Sequence, residues 1–211
     1  MPASRPPRVT GSETLFRGWG TLRRHTLETG HTREVYDHGH AVAALVRDPA
    51  RDTVLLVRQH RLPIALHGAD LAGEADRPDG PGAGRSDGPG AERPDGMSVE
   101  VPAGLIDEGE TPERTMRREI EEETGHRVGD LAPVADLFAS PGSLSERMVL
   151  FTATYGPDTK VGEGGGLAGE GEDIEVLEVP LAEALRMVED GRIRDLKTAF
   201  LVLWAARDRS S

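Results

Sequence analysis

Three glutamates in one short stretch are the residues of this chain best suited to chemistry. Glu119, Glu122 and Glu123 belong to the run REIEEET at 118–124. On a helix Glu119 and Glu123 lie one turn apart, and two like charges at that spacing repel by roughly 0.2–0.5 kcal/mol. Arg118 can pair with Glu122 at the same spacing, which leaves the other two carboxylates for a positive partner. Hard divalent cations, Mg²⁺ or Mn²⁺, prefer such oxygen ligands, so the pattern favours a metal site over a solvated acidic face.

A helix over 112–124 is predicted to position these carboxylates. Thr111 can cap its first turn, and Pro112 suits the first helical position because its ring fixes φ. Gly125 suits the left-handed position that ends many helices. At about 100° per residue, Met116 and Ile120 form an apolar edge with the two carboxylates beside it. We therefore expect these carboxylates to lean towards the protein rather than into water.

Length and charge limit the classes of protein to consider. The 211 residues suffice for one domain with a sizeable core. A formal net charge of −12 argues against a nucleic-acid groove or an anionic membrane surface as partner. A phosphate substrate would need local cations, mostly arginines, because Lys160 and Lys197 are the only lysines. The absence of cysteine excludes disulfides and zinc–thiolate sites, and without an apolar leader or membrane-length run we expect a cytoplasmic protein.

The hydrophobic pattern predicts an α/β fold with mixed strands. Apolar or alternating runs typical of strands lie at 41–46, 53–59, 98–101, 134–138, 147–155 and 174–179. A helical stripe begins at Leu181, and Asp195 is placed to cap a last helix that contains Phe200 and Trp204.

The pattern also divides the chain into segments. Residues 1–10 are predicted to be a disordered tail, 11–37 an N-terminal hairpin, and 38–208 the main domain. Within that domain, 68–97 is nearly all Gly, Pro, Ala, Asp, Glu and Arg, which predicts a flexible insertion. Two readings of this insertion are open. It is either a passive surface loop, or a functional segment that acts as a lid or as a tether for a partner.

The segment 104–126 resembles the Nudix box, G-x5-E-x7-R-E-U-x-E-E-x-G-U with U a bulky apolar residue. The matching residues are Gly104, Glu110, Arg118, Glu119, Ile120, Glu122, Glu123 and Gly125, and the one departure is His126. The resemblance implies a Nudix α/β/α sandwich with a mixed sheet. It also implies metal-assisted hydrolysis of a nucleoside diphosphate linked to a second moiety.

The same resemblance assigns expected roles around the metal. It implies that Glu119, Glu123 and the carbonyl of Ala103 bind the metal, with Glu146 as a further metal or substrate ligand. Glu122 and Arg118 would then hold the ligands in orientation. Of Glu170, Glu172 and Asp173 before the last strand, Glu172 best matches the acidic residue that relatives use as general base, and it is also a candidate metal ligand.

Further segments resemble the nucleotide-sugar diphosphatase branch of the family. They are SPG at 140–142 followed by Glu146, REVYDHG at 33–39, LLVRQHR at 55–61, EDIEVLE at 172–178 and GRIRDLKT at 191–198. GDP-mannose and ADP-ribose are the leading substrates on this reading. The alternatives are an ADP-ribose-specific diphosphatase and a catalytically silent nucleotide-sugar sensor, although a sensor would not need the intact set of box glutamates.

This branch resemblance also implies substrate contacts. Arg61 is placed for a substrate phosphate and Lys197 for another contact, while Gly104 and Leu105 lie where the substrate meets the box. Relatives donate base or sugar contacts from a second subunit, and the matching residues here are Trp19, Arg33 and Glu34. The resemblance thus predicts a homodimer with exchanged hairpins.

Overall fold

The computed structural model describes residues 5–71, 95–167, 169 and 171–207. An N-terminal sheet contains β1 (Val9–Arg17), β2 (Thr21–Leu27) and β3 (Thr32–Asp37). The main sheet contains β4 (Ala41–Asp48), β5 (Thr53–His60), β6 (Met97–Glu100), β7 (Ala103–Leu105), β8 (Leu131–Phe138), β9 (Arg147–Thr154) and β10 (Glu175–Pro180). The α-helices of this part of the chain are α1 (Leu62–Leu71), α2 (Pro112–Thr124), α3 (Leu181–Glu189) and α4 (Leu196–Arg207). None of these helices has the length and apolar character needed to cross a bilayer.

The main sheet is mixed, as the sequence predicts. Its strands run in the order β10-β5-β4-β9-β8, and β4 pairs with β9 in parallel while the other pairs are antiparallel. Strands β4 and β5 pair only near their turn, at 46–48 and 53–55. Beyond it, β6 pairs with the remainder of β5 and β7 with the start of β4. The chain segment that carries β6 and β7 therefore enters the centre of the sheet.

Helices cover both faces of this sheet, which confirms the predicted sandwich. On one side of β4, Val42 and Val46 pack with α2 residues such as Ile120. On the other side, Ala43 and Leu45 pack with apolar residues of α3 and α4. Because alternate strand residues point to opposite faces, both sets must be apolar, and this explains why β4 reads as a continuous apolar run.

Helix α2 begins and ends where its capping residues predict. The hydroxyl of Thr111 accepts a hydrogen bond from the Arg114 N–H, Pro112 opens the helix, and Gly125 has a φ of 72°. Met116 and Ile120 are fully buried. His126, the position at which the chain departs from the Nudix box, contributes to packing. Its ring lies edge-on to the ring of Tyr155, with centroids 5.1 Å apart, and burial lowers the pKa of His126.

The N-terminal region differs from the predicted tail and hairpin. It is a three-stranded sheet whose first strand begins at Val9, inside the predicted tail of 1–10. Every residue of β1 is exposed, so no burial pattern in the sequence marks this strand. Its second strand begins at Thr21, because 18–20 form a bend.

Two other elements are absent from the sequence prediction. Strand β7 has only three residues, which is too short for an alternation to be recognised. Helix α1 extends into the first residues of the predicted insertion at 68–97, and β6 begins at Met97, the last residue of that insertion. The rest of that insertion, 72–94, and residues 1–4 of the predicted tail lie outside the described residues.

Thr198 joins α4 to the sheet and provides a test of this architecture. It is fully buried, its hydroxyl accepts a hydrogen bond from the Val101 N–H at 2.8 Å, and it donates to Asp195 at 2.5 Å. In Thr198→Val the Val101 N–H loses its partner, so we expect a loss of about 1–3 kcal/mol in the free energy of unfolding by urea. Thr154→Val, at the exposed last position of β9, is the control and should change stability by less than about 0.5 kcal/mol. Equal effects of the two substitutions would contradict this role of Thr198.

Candidate active site

The inward face of α2 presents two buried carboxylates, as the sequence predicts. Glu119 is 9% exposed and Glu123 is 2% exposed, next to the apolar edge of the helix. A hydrogen bond of 3.1 Å from the Ala103 N–H reaches Glu123 Oε2. A side chain at Gly104 would overlap the carboxylate of Glu119. Glycine at 104 therefore makes room for the Glu119 side chain, and its φ is not unusual.

Arg118 connects several acidic groups of the box. Its Nη1 lies 2.9 Å from Glu122 Oε2, which confirms the pair predicted from the i,i+4 spacing. The same nitrogen lies 2.9 Å from Glu119 Oε1, so Glu119 also has a cationic partner within the chain. Glu110 and Asp107 complete the group at 3.4 and 3.3 Å from Arg118 Nη2.

Burial makes the two inward carboxylates unusual acids. It raises the pKa of Glu119 to about 7, although the charge of Arg118 opposes that shift. It raises the pKa of Glu123 to about 8, and the nearby charges of Glu119 and Glu172 act in the same direction. A carboxylate whose pKa is raised in this way is stabilised strongly by a cation placed beside it.

These carboxylates face a cavity of about 460 Å³. Most of the residues predicted for the site line it: Trp19, Arg61, Ala103, Gly104, Leu105, Arg118, Glu119, Glu123, Glu146, Glu172 and Lys197. Three predicted residues are not among its lining residues. Glu122 is paired with Arg118 at 2.9 Å. Arg33 and Glu34 lie on β3, where Glu34 pairs with Arg24 at 2.7 Å.

The lining also includes four residues that the sequence analysis missed, namely His38, Ala41, Asp107 and Met148. The ring of Trp19, which is 76% exposed, stacks on His38 with centroids 5.0 Å apart and an interplanar angle of 19°. Two stacked rings at the rim form an aromatic wall at one side of the cavity. His38 lies within the REVYDHG segment at 33–39, and that position was the available signal for it.

Glu100 is a further residue that the sequence analysis missed. Its carboxylate is 3% exposed, receives two hydrogen bonds of 2.9 Å from Arg61, and lies 2.6 Å from Lys197 Nζ. Lys197 also lies 2.9 Å from Asp195. Burial alone would raise the pKa of Glu100, but Arg61 and Lys197 outweigh it and hold the pKa at about 2. Both predicted substrate-binding cations are thus fixed by one buried carboxylate.

The donors at this cavity fit a hard divalent cation in kind. Glu119 and Glu123 supply carboxylate oxygens, their raised pKa values favour a positive neighbour, and Glu146 and Glu172 line the same cavity. Within the described residues, however, no three acidic or histidine side chains already converge as a metal site. Binding of a cation by these side chains therefore requires them to rotate towards one another.

Comparison with known proteins shows what this chain is similar to. A family profile described as NUDIX domain matches residues 84–199. The chain is 40% identical to a GDP-mannose pyrophosphatase of Cronobacter sakazakii over 172 residues, which are 82% of this chain and 76% of that protein. It is 38% identical to a GDP-mannose pyrophosphatase of Pectobacterium atrosepticum over 207 residues, which are 94% of this chain and 93% of that protein. A similar protein from Yersinia enterocolitica, also named GDP-mannose pyrophosphatase, is 35% identical over 92% of both chains.

Glu100 gives the site a predictable dependence on pH. Its pKa falls from an ordinary 4.5 to about 2 on folding, which corresponds to about 3 kcal/mol of stability. That contribution is present above pH 4.5 and is lost as the pH falls towards 2. We therefore expect Glu100→Gln to lower the free energy of unfolding by about 2–3 kcal/mol at pH 7, with the difference from the unsubstituted protein shrinking below pH 4.5.

Urea unfolding at a series of pH values measures this difference. Glu175→Gln is the control, because Glu175 pairs with Arg58 at an exposed position and should contribute less than about 1 kcal/mol. If the two substitutions have equal effects at pH 7, the depressed pKa of Glu100 is not a source of stability.

Proposed function

Because the chain belongs to the Nudix hydrolase family, we propose that it hydrolyses the diphosphate bond of a nucleoside diphosphate sugar. The observation that carries this proposal is the juxtaposition of charges in one cavity. Glu119 and Glu123 line one part of it, while Arg61 and Lys197 supply positive charge elsewhere in the lining. A diphosphate needs both a place for a divalent cation and cationic contacts for its other oxygens.

We propose GDP-mannose as the preferred substrate, with ADP-ribose as the alternative. Relatives that match most of the chain are named for GDP-mannose, and that supports the first choice. The aromatic wall of Trp19 and His38 can stack on a purine, and both substrates contain one. The products would be a nucleoside monophosphate and a sugar phosphate.

Mg²⁺, or Mn²⁺ in its place, would be held by Glu119, Glu123 and the carbonyl of Ala103, with Glu146 and Glu172 as further donors. When bound, such an ion neutralises charge on the phosphate oxygens and lowers the pKa of water. Arg118 and Glu122 serve this arrangement indirectly, because their ion pair restrains the end of the Glu119 side chain.

In the proposed reaction Glu172 takes a proton from the attacking water. The water oxygen forms a new bond to phosphorus, the bond from that phosphorus to the bridging oxygen breaks, and the bridging oxygen leaves on the departing phosphate. Arg61 and Lys197 hold phosphate oxygens during this displacement. Their orientation does not depend on the substrate, because Glu100 fixes both cations in the protein alone.

We also propose a homodimer that uses the N-terminal sheet. All of β1 is exposed, and Phe16 and Trp19 are 58% and 76% exposed. Arg33 and Glu34 lie away from the cavity of their own chain, so a second subunit is the place where the proposed contacts of these two residues with substrate can occur.

Initial rates with Mg²⁺ and GDP-mannose, ADP-ribose or GTP, measured side by side, test the proposed reaction. We expect GDP-mannose to give the highest kcat/KM.

Glu123→Gln should lower kcat on the order of 10³-fold because it removes a buried anion from the cation site, with the melting temperature unchanged or raised. Glu121→Gln, on the opposite face of the same helix, should keep full activity. Turnover by Glu123→Gln at the unsubstituted rate would refute the metal assignment, and GTP as best substrate would refute the nucleotide-sugar assignment.

Light scattering coupled to size exclusion tests the dimer. We expect a mass near twice the 22.7 kDa of the chain, and a shift towards monomer in Phe16→Asp. Leu203→Asp, at an exposed apolar position on α4, is the control and should remain dimeric. A monomeric mass for the unsubstituted protein at micromolar concentration would contradict the proposal.

A further inference from the structure

A glycine-rich segment before β10 docks on the C-terminal end of α2. We name residues 161–167, with the sequence VGEGGGL, the glycine strap. The Gly165 N–H donates to the Glu123 carbonyl at 2.9 Å, and the Gly166 N–H donates to the Glu122 carbonyl at 3.1 Å. The Gly125 carbonyl just beyond the helix accepts from Val161 at 2.8 Å. The last carbonyls of a helix lack partners within it, and the strap supplies them.

The strap requires glycine at two of these positions for steric reasons. Gly164 and Gly166 have φ values of 72° and 76°, in the region that side chains other than glycine rarely adopt. A Cβ at Gly164 would lie 2.5 Å from the Glu123 carbonyl oxygen. A Cβ at Gly166 would lie 2.5 Å from Glu172 Oε2 and 2.8 Å from Glu172 Cβ. Gly164 therefore permits docking on α2, and Gly166 leaves the space that the Glu172 side chain occupies.

The strap also holds Glu172 directly. The Leu167 N–H donates to Glu172 Oε2 at 3.0 Å, and the Ile174 N–H donates to the Gly165 carbonyl at 3.2 Å. Glu172 lies between these two anchored points of the chain and lines the same cavity as Glu119 and Glu123. Its carboxylate is thus fixed relative to α2 through hydrogen bonds whose donors are all backbone N–H groups.

We propose that the glycine strap is the device that positions Glu172 for the reaction, and that Gly166 is its principal positioning residue. This proposal rests on the proposed function, since it assigns Glu172 a role in turnover. Residues 122 and 123 then act twice: their side chains belong to the box, and their carbonyls fix the loop that carries Glu172. A displacement of about 1 Å of a catalytic group can lower a rate about 100-fold, so such anchoring matters for chemistry.

Gly166→Ala tests the proposal against Gly191→Ala as a matched control. Gly191 has a similar φ of 80°, but a Cβ there would meet nothing within 4 Å. Both substitutions therefore impose similar backbone strain, but only Gly166→Ala meets other side chains, namely Glu172 and, at 2.9 Å, Ile174. We expect a kcat about 10–100-fold lower in Gly166→Ala with KM within about threefold, and Gly191→Ala within about twofold of the unsubstituted enzyme in both constants. Equal kcat values in the two variants would overturn the proposal.

A double substitution shows whether Gly166 acts through Glu172. In the background of Glu172→Gln, Gly166→Ala should cause no further loss of kcat, because the group that it displaces no longer takes the proton. Losses that multiply in the double variant would show an effect unrelated to Glu172 and would overturn the proposal.

Amide hydrogen exchange gives a measurement that does not depend on activity. The amides of Gly165, Gly166 and Leu167 should exchange slowly, and Leu167 should lose its protection in Gly166→Ala but keep it in Gly191→Ala. Rapid exchange at these amides in the unsubstituted protein would overturn the positioning role. If the protein hydrolysed no nucleotide sugar while these amides stayed protected, the proposed function would fail and Glu172 would have no reaction to serve.

Discussion

The structure depends on one constraint, which is that two carboxylates one helical turn apart must be buried on the same side of α2. Glu119 and Glu123 are nearly as inaccessible as the core residues beside them. Burial of two like charges is unfavourable unless each finds a partner. The surrounding chain supplies those partners: Arg118 at Glu119, the Ala103 N–H at Glu123, and a glycine at 104 that lets the first carboxylate approach the strand.

This constraint explains why the centre of the sheet is divided. If β4 and β5 paired along their whole length, no chain segment could present Ala103 and Gly104 to α2. Because they pair only near their turn, β6 and β7 fill the gap and carry Glu100 and Ala103 to neighbouring parts of the site. The break in regular pairing thus places the partner of Arg61 and Lys197 on β6 and the N–H that binds Glu123 on the adjoining β7.

Much of the fold and part of the site could be predicted because their signals are local. The limits of α2 follow from Thr111, Pro112 and Gly125, and the pairing of Arg118 with Glu122 follows from helical spacing alone. The arrangement around Glu100 could not be predicted in that way, since its partners lie 39 and 97 residues away in the chain. A single glutamate in a short strand has the same appearance in a sequence whether it faces solvent or holds two cations. The roles of the site residues in catalysis remain predictions.

For the proposed reaction, the ion pairs of Arg61 and Lys197 have a consequence at the step where product leaves. Glu100 and Asp195 supply two negative charges to these two positive ones, so the basic part of the cavity is close to neutral before any ligand enters. Two uncompensated cations in a partly closed cavity would hold a phosphomonoester tightly, and slow departure of product often limits turnover. In the proposed reaction each cation keeps a carboxylate partner when the phosphate leaves. The cluster thus favours exchange of product for new substrate over tight retention of either.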